Sequence, residues 1–201
     1  MRQKNNEDRR TQKTRQALQE ALISLMFEKS YDAILVQEIL DRANVGRSTF
    51  YTHYRDKDEL LAEGLQGLKE LLRNAQMATV VAADKKYEKV IGFSLAMFEH
   101  AHDHKKLYRS LVSGPGWVIV SQRLEEILVQ LMQEEARVLF KRRASSDVPF
   151  ELFVHYLGAT FMTVLTWWFN FGRPLPPEEI NALFRELVIP TLAAHLKYGH
   201  L

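Results

Sequence analysis

The most informative segment of the chain, residues 36–57, reads VQEILDRANVGRSTFYTHYRDK. Its first part carries apolar residues at the spacing of one face of a short helix, namely Val36, Ile39, Leu40 and Ala43. Asn44 follows this stripe, and asparagine tolerates the left-handed backbone conformation in which many helices end. The pattern therefore predicts a short helix followed by a tight turn over residues 44–46.

A second short helix is predicted to begin near Arg47. Phe50 and Tyr54 are four residues apart and are expected to face inward. The outward arc is expected to carry Ser48, Thr49, Tyr51 and Thr52. Two short helices joined by a tight turn are typical of a helix-turn-helix whose second helix enters the major groove of DNA. Taken alone, the segment is also compatible with a surface helical hairpin.

The segment resembles the DNA-binding domain of the TetR family of bacterial transcriptional regulators. The resemblance covers about residues 11–65 and is most specific in STFYTHY at 48–54, followed by DKDELL at 56–61. Further matching residues are Ala17, Ala21, Leu25, Tyr31, Asp32, Ala33 and Ile39. The resemblance implies an all-α fold with a three-helix DNA-binding domain at the N-terminus and a helical bundle for effector binding and dimerisation behind it.

The resemblance also implies a set of DNA contacts. It assigns Arg47, Ser48 and Thr49 to the bases. It assigns Tyr51, His53 and Lys57 to phosphates, and Thr52 belongs to the same predicted surface. The chemistry is compatible, because arginine can donate two hydrogen bonds to a guanine edge, threonine can contact a base, and tyrosine, histidine and lysine can donate to phosphate oxygens.

The segment departs from the family pattern at three places. Leu35 stands where a Ser or Thr cap is usual, so we expect this helix end to be looser or to be capped by Asp32. The turn reads Asn-Val-Gly at 44–46 instead of Gly-Val-Ser, which affects the tilt of the second helix. Leu40 replaces a small residue, so packing between the two helices is expected to differ.

Length and composition describe an ordinary globular protein. The chain has 201 residues, is 46% hydrophobic and has a net charge of +2, which by itself does not indicate nucleic acid. The first fifteen residues are more basic than the rest, with Arg2, Lys4, Arg9, Arg10, Lys13 and Arg15 against Glu7 and Asp8. This arm is expected to add phosphate or minor-groove contacts, and the other interpretation, a solvated disordered tail, is compatible with that role.

The sequence favours a cytoplasmic protein with no membrane span. It has no cysteine, and no apolar run follows the N-terminal charges. Residues 155–172 lack Asp, Glu, Lys and Arg, but polar residues interrupt the run at Thr160, Thr163, Thr166 and Asn170. We therefore expect a helix buried in a bundle or a subunit interface.

The remaining chain has helical periodicity throughout, and we predict two domains, residues 1–56 for DNA binding and residues 57–201 for effector binding and dimerisation. Apolar stripes predict helices over about 11–28, 60–78, 90–101, 107–112, 124–139 and 149–171, and from 178 onward. The clearest break is Ser-Gly-Pro-Gly at 113–116.

The C-terminal part is rich in aromatic residues and methionine, which suits the lining of a pocket for a small apolar or aromatic effector. Candidate lining residues are Phe98, Trp117, Tyr156, Met162, Thr163 and Trp167. The alternative is that these side chains fill the core or a dimer seam. His100 and His104 share a helical face but lack further ligands, so no metal or cofactor is predicted and a solvated helix end is preferred.

The predicted function is that of a sequence-specific DNA-binding transcriptional regulator, a repressor released by its effector. The resemblance implies a homodimer formed by the last two helices, which binds a pseudo-palindromic operator in double-stranded DNA. The alternative is a partner-gated co-activator or chromosome-associated protein without an effector. No nucleophile–base pair, phosphate loop or complete metal set is found, so no enzymatic activity is expected.

Overall fold

The computed structural model describes residues 2–81, 83–140, 148–170 and 175–196. Over these residues the chain forms nine α-helices and no strand, which confirms the predicted all-α class. The helices are α1 (Arg2–Glu28), α2 (Val36–Ala43), α3 (Arg47–His53), α4 (Lys57–Ala78), α5 (Ser94–Asp103), α6 (Lys105–Val112), α7 (Trp117–Phe140), α8 (Phe150–Asn170) and α9 (Pro177–Leu196). Two 3-10 helices, Tyr31–Ala33 and Ala83–Ile91, complete the ordered elements.

The chain divides into two compact units. Unit 1 contains Met1–Leu68 and Ser113–Ile119, and unit 2 contains Lys69–Val112 and Val120–Leu201. The division falls within α4, twelve residues beyond the boundary expected at 56/57. The reason is that the first turns of α4 pack on α1, where Leu60 and Leu61 are buried and Arg15 pairs with Glu63.

The core of unit 1 is formed by apolar residues from all four of its helices. The side chains that are almost fully buried there are Leu18, Leu22 and Met26 of α1, Ile39 and Leu40 of α2, Phe50 of α3, Tyr54 and Leu60. Burial of each large apolar side chain contributes about 1.5–3 kcal/mol relative to its exposure. Leu40, which departs from the family pattern, is therefore accommodated inside this core.

The segment Ser113–Ile119 belongs to unit 1 because it docks against the end of α1. The Gly116 amide donates a hydrogen bond to the Met26 carbonyl oxygen at 3.2 Å. A Cβ atom at Gly116 would lie 2.7 Å from Met26 Cβ and 2.8 Å from Met26 O. Only glycine permits so close an approach of the two backbones.

Helix α1 begins at Arg2 and not near residue 11, so the basic arm is helical and the expectation of a disordered tail is wrong. Residues 2–10 carry no apolar stripe, so hydrophobic periodicity could not reveal this part of the helix. Arginine, lysine, glutamine and glutamate nevertheless have good helix propensity. The exposed side chains of Arg9 and Arg10 lie on this extension, and that of Lys13 follows it.

The core of unit 2 is an aromatic cluster centred on Phe161 of α8. Its ring stacks on Phe98 of α5 with centroids 4.6 Å apart, and it lies 5.0 Å from Phe184 of α9 and 5.8 Å from Phe93. Trp168 contacts Phe98 edge-on at 5.9 Å. Such pairs add to the stabilisation that area burial alone provides. Helices α5, α8 and α9 are therefore joined through one cluster of aromatic rings in contact.

The apolar stripe at residues 90–101 does not form one helix. Val90 and Ile91 end a 3-10 helix, and α5 starts at Ser94. The break is at Gly92, where a Cβ atom would lie 2.7 Å from Thr79 Oγ1, and the Thr79 hydroxyl donates to the Gly92 carbonyl oxygen at 3.1 Å. Close approach of two chain segments overrides the local periodicity here.

Some expectations fall on parts of the chain that the structure does not describe. The polar run 141–147, which follows the helix predicted over about 124–139, lies outside the described residues, as do residues 171–174, which include the predicted end of the helix over about 149–171. Helix α8 is the one helix of the described residues that is long and apolar enough to cross a membrane, and half of its apolar window is buried. A buried core helix passes the same test, so this is weak support for a span.

Candidate nucleic-acid interface

Helix α2 begins without a side-chain cap from Leu35. The Glu38 amide donates to the Leu35 carbonyl oxygen at 3.0 Å, and the Leu35 amide donates to Glu38 Oε2 at 2.9 Å. Lys29 pairs with the other carboxylate oxygen of Glu38. Hydrogen bonds from Lys29 and then from the Leu35 amide lower the pKa of Glu38. The expected cap from Asp32 is therefore wrong, because Glu38 supplies half of a capping box by itself.

Helix α2 is also held to α1 by a forked ion pair. Arg42 Nη1 and Nη2 donate to Glu28 Oε1 and Oε2 at 2.6 and 2.9 Å, and Nη1 also donates to Ser24 Oγ at 2.8 Å. The hydrogen bond from Arg42 lowers the pKa of Glu28. Two-point pairing of this kind fixes orientation as well as distance. The outer face of α2 is thus set relative to α1.

The turn between α2 and α3 depends on Asn44. Its φ of 50° and ψ of 47° are left-handed, as the sequence predicted. The Val45 amide donates to the Leu40 carbonyl oxygen at 3.0 Å and satisfies one of the last carbonyls of α2. Gly46 has an ordinary extended backbone with φ of −70°. The residue that makes the turn possible is therefore Asn44, and the family's usual glycine is dispensable there.

Helix α3 is anchored by Phe50 and Tyr54, which are both almost fully buried, as predicted. Their ring centroids are 5.6 Å apart, and Tyr51 meets the edge of Phe50 at 5.2 Å. Burial is the main cause that raises the pKa of Tyr54, and the nearby Glu63 carboxylate adds to it. The Tyr54 hydroxyl therefore stays neutral within the core.

The outer surface of α3 carries the predicted DNA-contacting residues together. The exposed side chains are Arg47, Ser48, Thr49, Tyr51 and Thr52, and His53 is half-buried at the end of the helix. Tyr51 keeps 53% of its surface exposed although its ring touches Phe50. The Thr52 hydroxyl donates back to the Ser48 carbonyl oxygen at 2.9 Å, so it offers acceptor sites outward.

Lys57 is not free at this surface. Its ammonium donates to the carbonyl oxygens of Tyr31 at 2.8 Å, Ile34 at 2.9 Å and Asp32 at 3.4 Å, and it lies 4.5 Å from the Tyr31 ring centroid. The Tyr31 hydroxyl in turn donates to Asp58 Oδ1 at 2.6 Å. An ammonium has three N–H donors, and three carbonyls occupy them. In this structure Lys57 joins the start of α4 to the loop before α2 and does not face outward.

The segment between α3 and α4 supplies an exposed cation that the sequence did not single out. The Glu59 amide donates to Asp56 Oδ1 at 2.9 Å, so Asp56 caps the start of α4. Glu59 Oε2 accepts from the Arg55 amide at 2.8 Å and from Arg55 Nε at 3.3 Å. The Arg55 side chain is 88% exposed. It lies two residues after the end of α3, and this position is the signal that could have identified it.

A second feature that was missed links α2 to α3. Arg47 Nη2 donates to Gln37 Oε1 at 3.0 Å, and Gln37 Nε2 donates to Asp41 Oδ1 at 2.8 Å. All three side chains are exposed. Gln37 and Asp41 are four residues apart in the sequence, so their pairing could have been found from helical spacing, whereas the bond to Arg47 depends on the turn.

Of the six residues predicted to line an effector pocket, the five in unit 2 are divided between its buried core and an exposed helix face. Trp117 lies in unit 1, and Phe98 is fully buried in the aromatic core of unit 2. Met162 is buried in α8. The other three, Tyr156, Thr163 and Trp167, lie along the exposed stripe of α8.

The paired histidines have a definite geometry. The rings of His100 and His104 lie 4.3 Å apart, and His104 Nδ1 is 2.9 Å from the His100 carbonyl oxygen. Burial and the neighbouring His104 lower the pKa of His100. Among the described residues, no group of three or more potential metal ligands is assembled.

Comparison with known proteins agrees with this arrangement. Residues 18–63 match the family model for bacterial regulatory proteins of the tetR family, and residues 88–190 match the model for a transcriptional regulator C-terminal region. The second match covers just over half of the chain. The protein therefore belongs to the TetR family of bacterial transcriptional regulators.

Curated relatives are regulators of the same kind. The chain is 24% identical over 185 residues to the uncharacterized HTH-type transcriptional regulator YxbF of Bacillus subtilis strain 168, and the match covers 90% of this chain and 46% of that protein. It is also 24% identical over 183 residues to the HTH-type transcriptional repressor KstR2 of Mycolicibacterium smegmatis, with 84% and 85% covered. The chain thus spans about half the length of the first relative and most of the second.

Solved structures support the same fold. A TetR transcriptional regulator from Streptococcus agalactiae 2603V is 26% identical with a TM-score of 0.60, and 90% of this chain and 97% of that chain are covered. A TetR-family regulator from Syntrophomonas wolfei is 19% identical with a TM-score of 0.64, covering 90% and 96%. The second likeness supports the fold alone.

Proposed function

We propose that this regulator is a homodimeric repressor that reads a pseudo-palindromic operator with α3 and is released by a small apolar or aromatic effector. The observation that carries the proposal is the division of α3 into two faces. Phe50 is fully buried, while Arg47, Thr49 and Tyr51 are exposed. A helix anchored by one face and carrying donors on the other is suited to the major groove.

The exposed residues are assigned roles by their chemistry. Arg47, Ser48 and Thr49 are proposed to contact base edges, and Tyr51, Thr52 and His53 to contact phosphates or the groove wall. Arg55 is added as a phosphate contact because it is exposed two residues after the end of α3. Lys57 is proposed to support the interface from behind, since its donors are occupied by carbonyls.

The dimer is proposed to form through α8 and α9. Helix α8 exposes Leu152, Tyr156 and Trp167 along one stripe, and α9 exposes Leu183 and Leu187. Leu152 and Tyr156 are four residues apart, Tyr156 and Trp167 are eleven apart, and Leu183 and Leu187 are four apart, so each set lies on one helical face. An exposed apolar surface spanning two neighbouring helices is typical of a subunit interface. Tyr156 and Trp167 are therefore assigned to the dimer seam in preference to an effector pocket.

Repression and effector release have a more indirect basis. One relative with 85% of its length matched is named a transcriptional repressor. Phe98 and Met162 remain candidates for contact with an effector inside unit 2, where the core is aromatic. The protein is proposed to act in the cytoplasm, where an operator is accessible. Effector binding would shift the population toward a state with lower DNA affinity.

The proposal is tested by selecting bound duplexes from a random library with the full-length protein. Fluorescence anisotropy then compares the enriched duplex with a scrambled duplex of equal length at several salt concentrations. Arg47→Ala is expected to lower affinity for the enriched duplex by roughly 1–3 kcal/mol and to leave affinity for the scrambled duplex almost unchanged. Equal losses on both duplexes would rule out base reading by Arg47.

A further inference from the structure

We propose that Asp41 and Gln37 are positioning residues that hold Arg47 in one orientation and thereby set the base preference of α3. We call these three residues the Asp41–Gln37–Arg47 relay. The inference rests on the proposed function, because that function assigns Arg47 to a base. The relay joins the outer face of α2 to the first residue of α3. It therefore crosses the turn at Asn44.

The relay consists of two successive hydrogen bonds. Asp41 Oδ1 accepts from Gln37 Nε2 at 2.8 Å, and Gln37 Oε1 accepts from Arg47 Nη2 at 3.0 Å. Both distances are normal for strong N–H···O bonds. Asp41 at one end is negatively charged, Arg47 at the other end is positively charged, and the neutral Gln37 amide connects them.

The direction of the Gln37 amide follows from its two neighbours. A carboxylate only accepts hydrogen bonds and a guanidinium only donates them. The amide must therefore turn its NH2 group to Asp41 and its oxygen to Arg47. Without Asp41 the amide loses the group that holds its NH2 end, and Arg47 loses a fixed acceptor.

Fixing Arg47 favours specific recognition. A guanidinium has five N–H donors, and the bond to Gln37 uses one, so four remain for a base edge. Arginine loses substantial side-chain freedom when it binds, and a side chain already held in place loses less. The relay therefore prepares Arg47 for the two-point contact with a guanine edge.

The charge of Asp41 provides an opposing effect that makes the relay testable. An exposed carboxylate beside a DNA-binding helix repels phosphates, so its removal alone should strengthen binding to any duplex. A positioning role predicts weaker binding to the preferred duplex instead. The two effects have opposite signs, and only the second depends on Arg47.

A matched control exists on α1. Gln16 Nε2 donates to Glu20 Oε1 at 2.9 Å, which is the same amide–carboxylate pair at the same spacing of four residues. Glu20→Ala therefore removes one negative charge and one such pair from the same unit as Asp41→Ala. It does so without touching the relay.

The experiment measures discrimination between two duplexes. The first is the duplex that the wild-type protein enriches most from a random library, and the second has its enriched guanine replaced. Asp41→Ala and Gln37→Ala are each expected to reduce the discrimination roughly tenfold, within the range of a two-point arginine–guanine contact. Asp41→Ala should bind a scrambled duplex as well as the wild-type protein or better. Asp41→Glu should restore most of the discrimination, and Glu20→Ala should leave it unchanged.

The Arg47→Ala background separates positioning from other effects. In that background Asp41→Ala should produce no further loss of discrimination, because the relay has nothing left to hold. The relay would be overturned if Asp41→Ala lost as much discrimination in the Arg47→Ala background as in the wild-type protein. It would also be overturned if Asp41→Ala bound the enriched and the scrambled duplex equally more weakly. Either result would leave the regulator proposal intact. A wild-type protein that enriches no sequence would overturn both.

Discussion

The ammonium of Lys57 lies 2.8 Å from the carbonyl oxygen of Tyr31, inside unit 1. Two further carbonyls, those of Asp32 and Ile34, accept from the same group. Lys57, the first residue of α4, thus joins the start of α4 to the loop that leads into α2, whereas the family resemblance implied a phosphate contact.

Replacement of Lys57 by Met should lower stability by roughly 1–3 kcal/mol, since hydrogen bonds from a charged group are lost and the part-buried carbonyls of Tyr31 and Ile34 lose their donor. Thermal unfolding measures this effect. The slope of log affinity against log salt concentration should stay near the wild-type value. A wild-type melting temperature together with a flatter salt slope would indicate a phosphate contact instead.

Arg55 should behave in the opposite way. Its side chain is 88% exposed, so Arg55→Ala should leave the melting temperature almost unchanged. Loss of one phosphate contact should reduce the magnitude of the salt slope by about 0.9 per copy of the reading head. Titration of a scrambled duplex at several salt concentrations provides the slope. An unchanged slope would remove Arg55 from the interface.

Gly116→Ala should destabilise unit 1. The added Cβ would lie 2.7 Å from Met26 Cβ, and relief of this overlap requires backbone movement at a cost of about 1–3 kcal/mol. Gly67→Ala is the matched control, because nothing lies within 4 Å of its Cβ position in α4. That variant should be neutral or more stable by up to about 1 kcal/mol. Chemical denaturation measures the free energy of unfolding of both variants. If Gly116→Ala were as stable as Gly67→Ala, the docking of the segment Ser113–Ile119 would be contradicted.

The forked ion pair between Arg42 and Glu28 should make the stability of the fold depend on pH. Arg42 lowers the pKa of Glu28 below its ordinary value of 4.5, so this pair stabilises the fold above that pH and is lost as the pH falls through the folded-state pKa. Glu28→Gln should therefore melt below the wild type near neutral pH. The gap in melting temperature should narrow as the pH falls below 4.5. If the difference in melting temperature between the two proteins stayed constant down to about pH 3, the Arg42–Glu28 pair would not be its source.

The proposed dimer seam predicts a change in oligomeric state. Leu187 of α9 is 56% exposed in the single chain, and Leu187→Asp would place a charge in an apolar interface. Sedimentation equilibrium should then give a monomer. Val80→Asp introduces the same charge at a residue that is 95% exposed and lies outside the stripe, and it should remain dimeric. Dimerisation of both variants would place the interface elsewhere.

The helix-turn-helix was predictable because its information is local. The spacing of Val36, Ile39 and Leu40 defines α2, and the pair Phe50 and Tyr54 defines the buried face of α3. Such patterns depend only on the geometry of a single helix. They gave the bounds of both helices and the outward residues of the second.

Features that depend on distant contacts were not predictable in the same way. The carbonyl oxygens around Lys57 come from a loop more than twenty residues earlier, and Gly116 meets Met26 across ninety residues of sequence. Nothing in the periodicity near either residue indicates its partner. The aromatic residues of α8 were ambiguous for a related reason, because helical spacing does not distinguish a core, a seam and a pocket.

Direct mapping of α3 on bound DNA tests the central claim. The chain has no cysteine, so Thr49→Cys creates a single site for a photocrosslinking reagent. On the enriched duplex, crosslinks should map to the major groove in two inverted half-sites, separated by about one helical turn or more. Val80→Cys, labelled in the same way, should give no such pattern. If Thr49→Cys gave no crosslinks, or no more than Val80→Cys, the assignment of α3 as the reading helix would be contradicted.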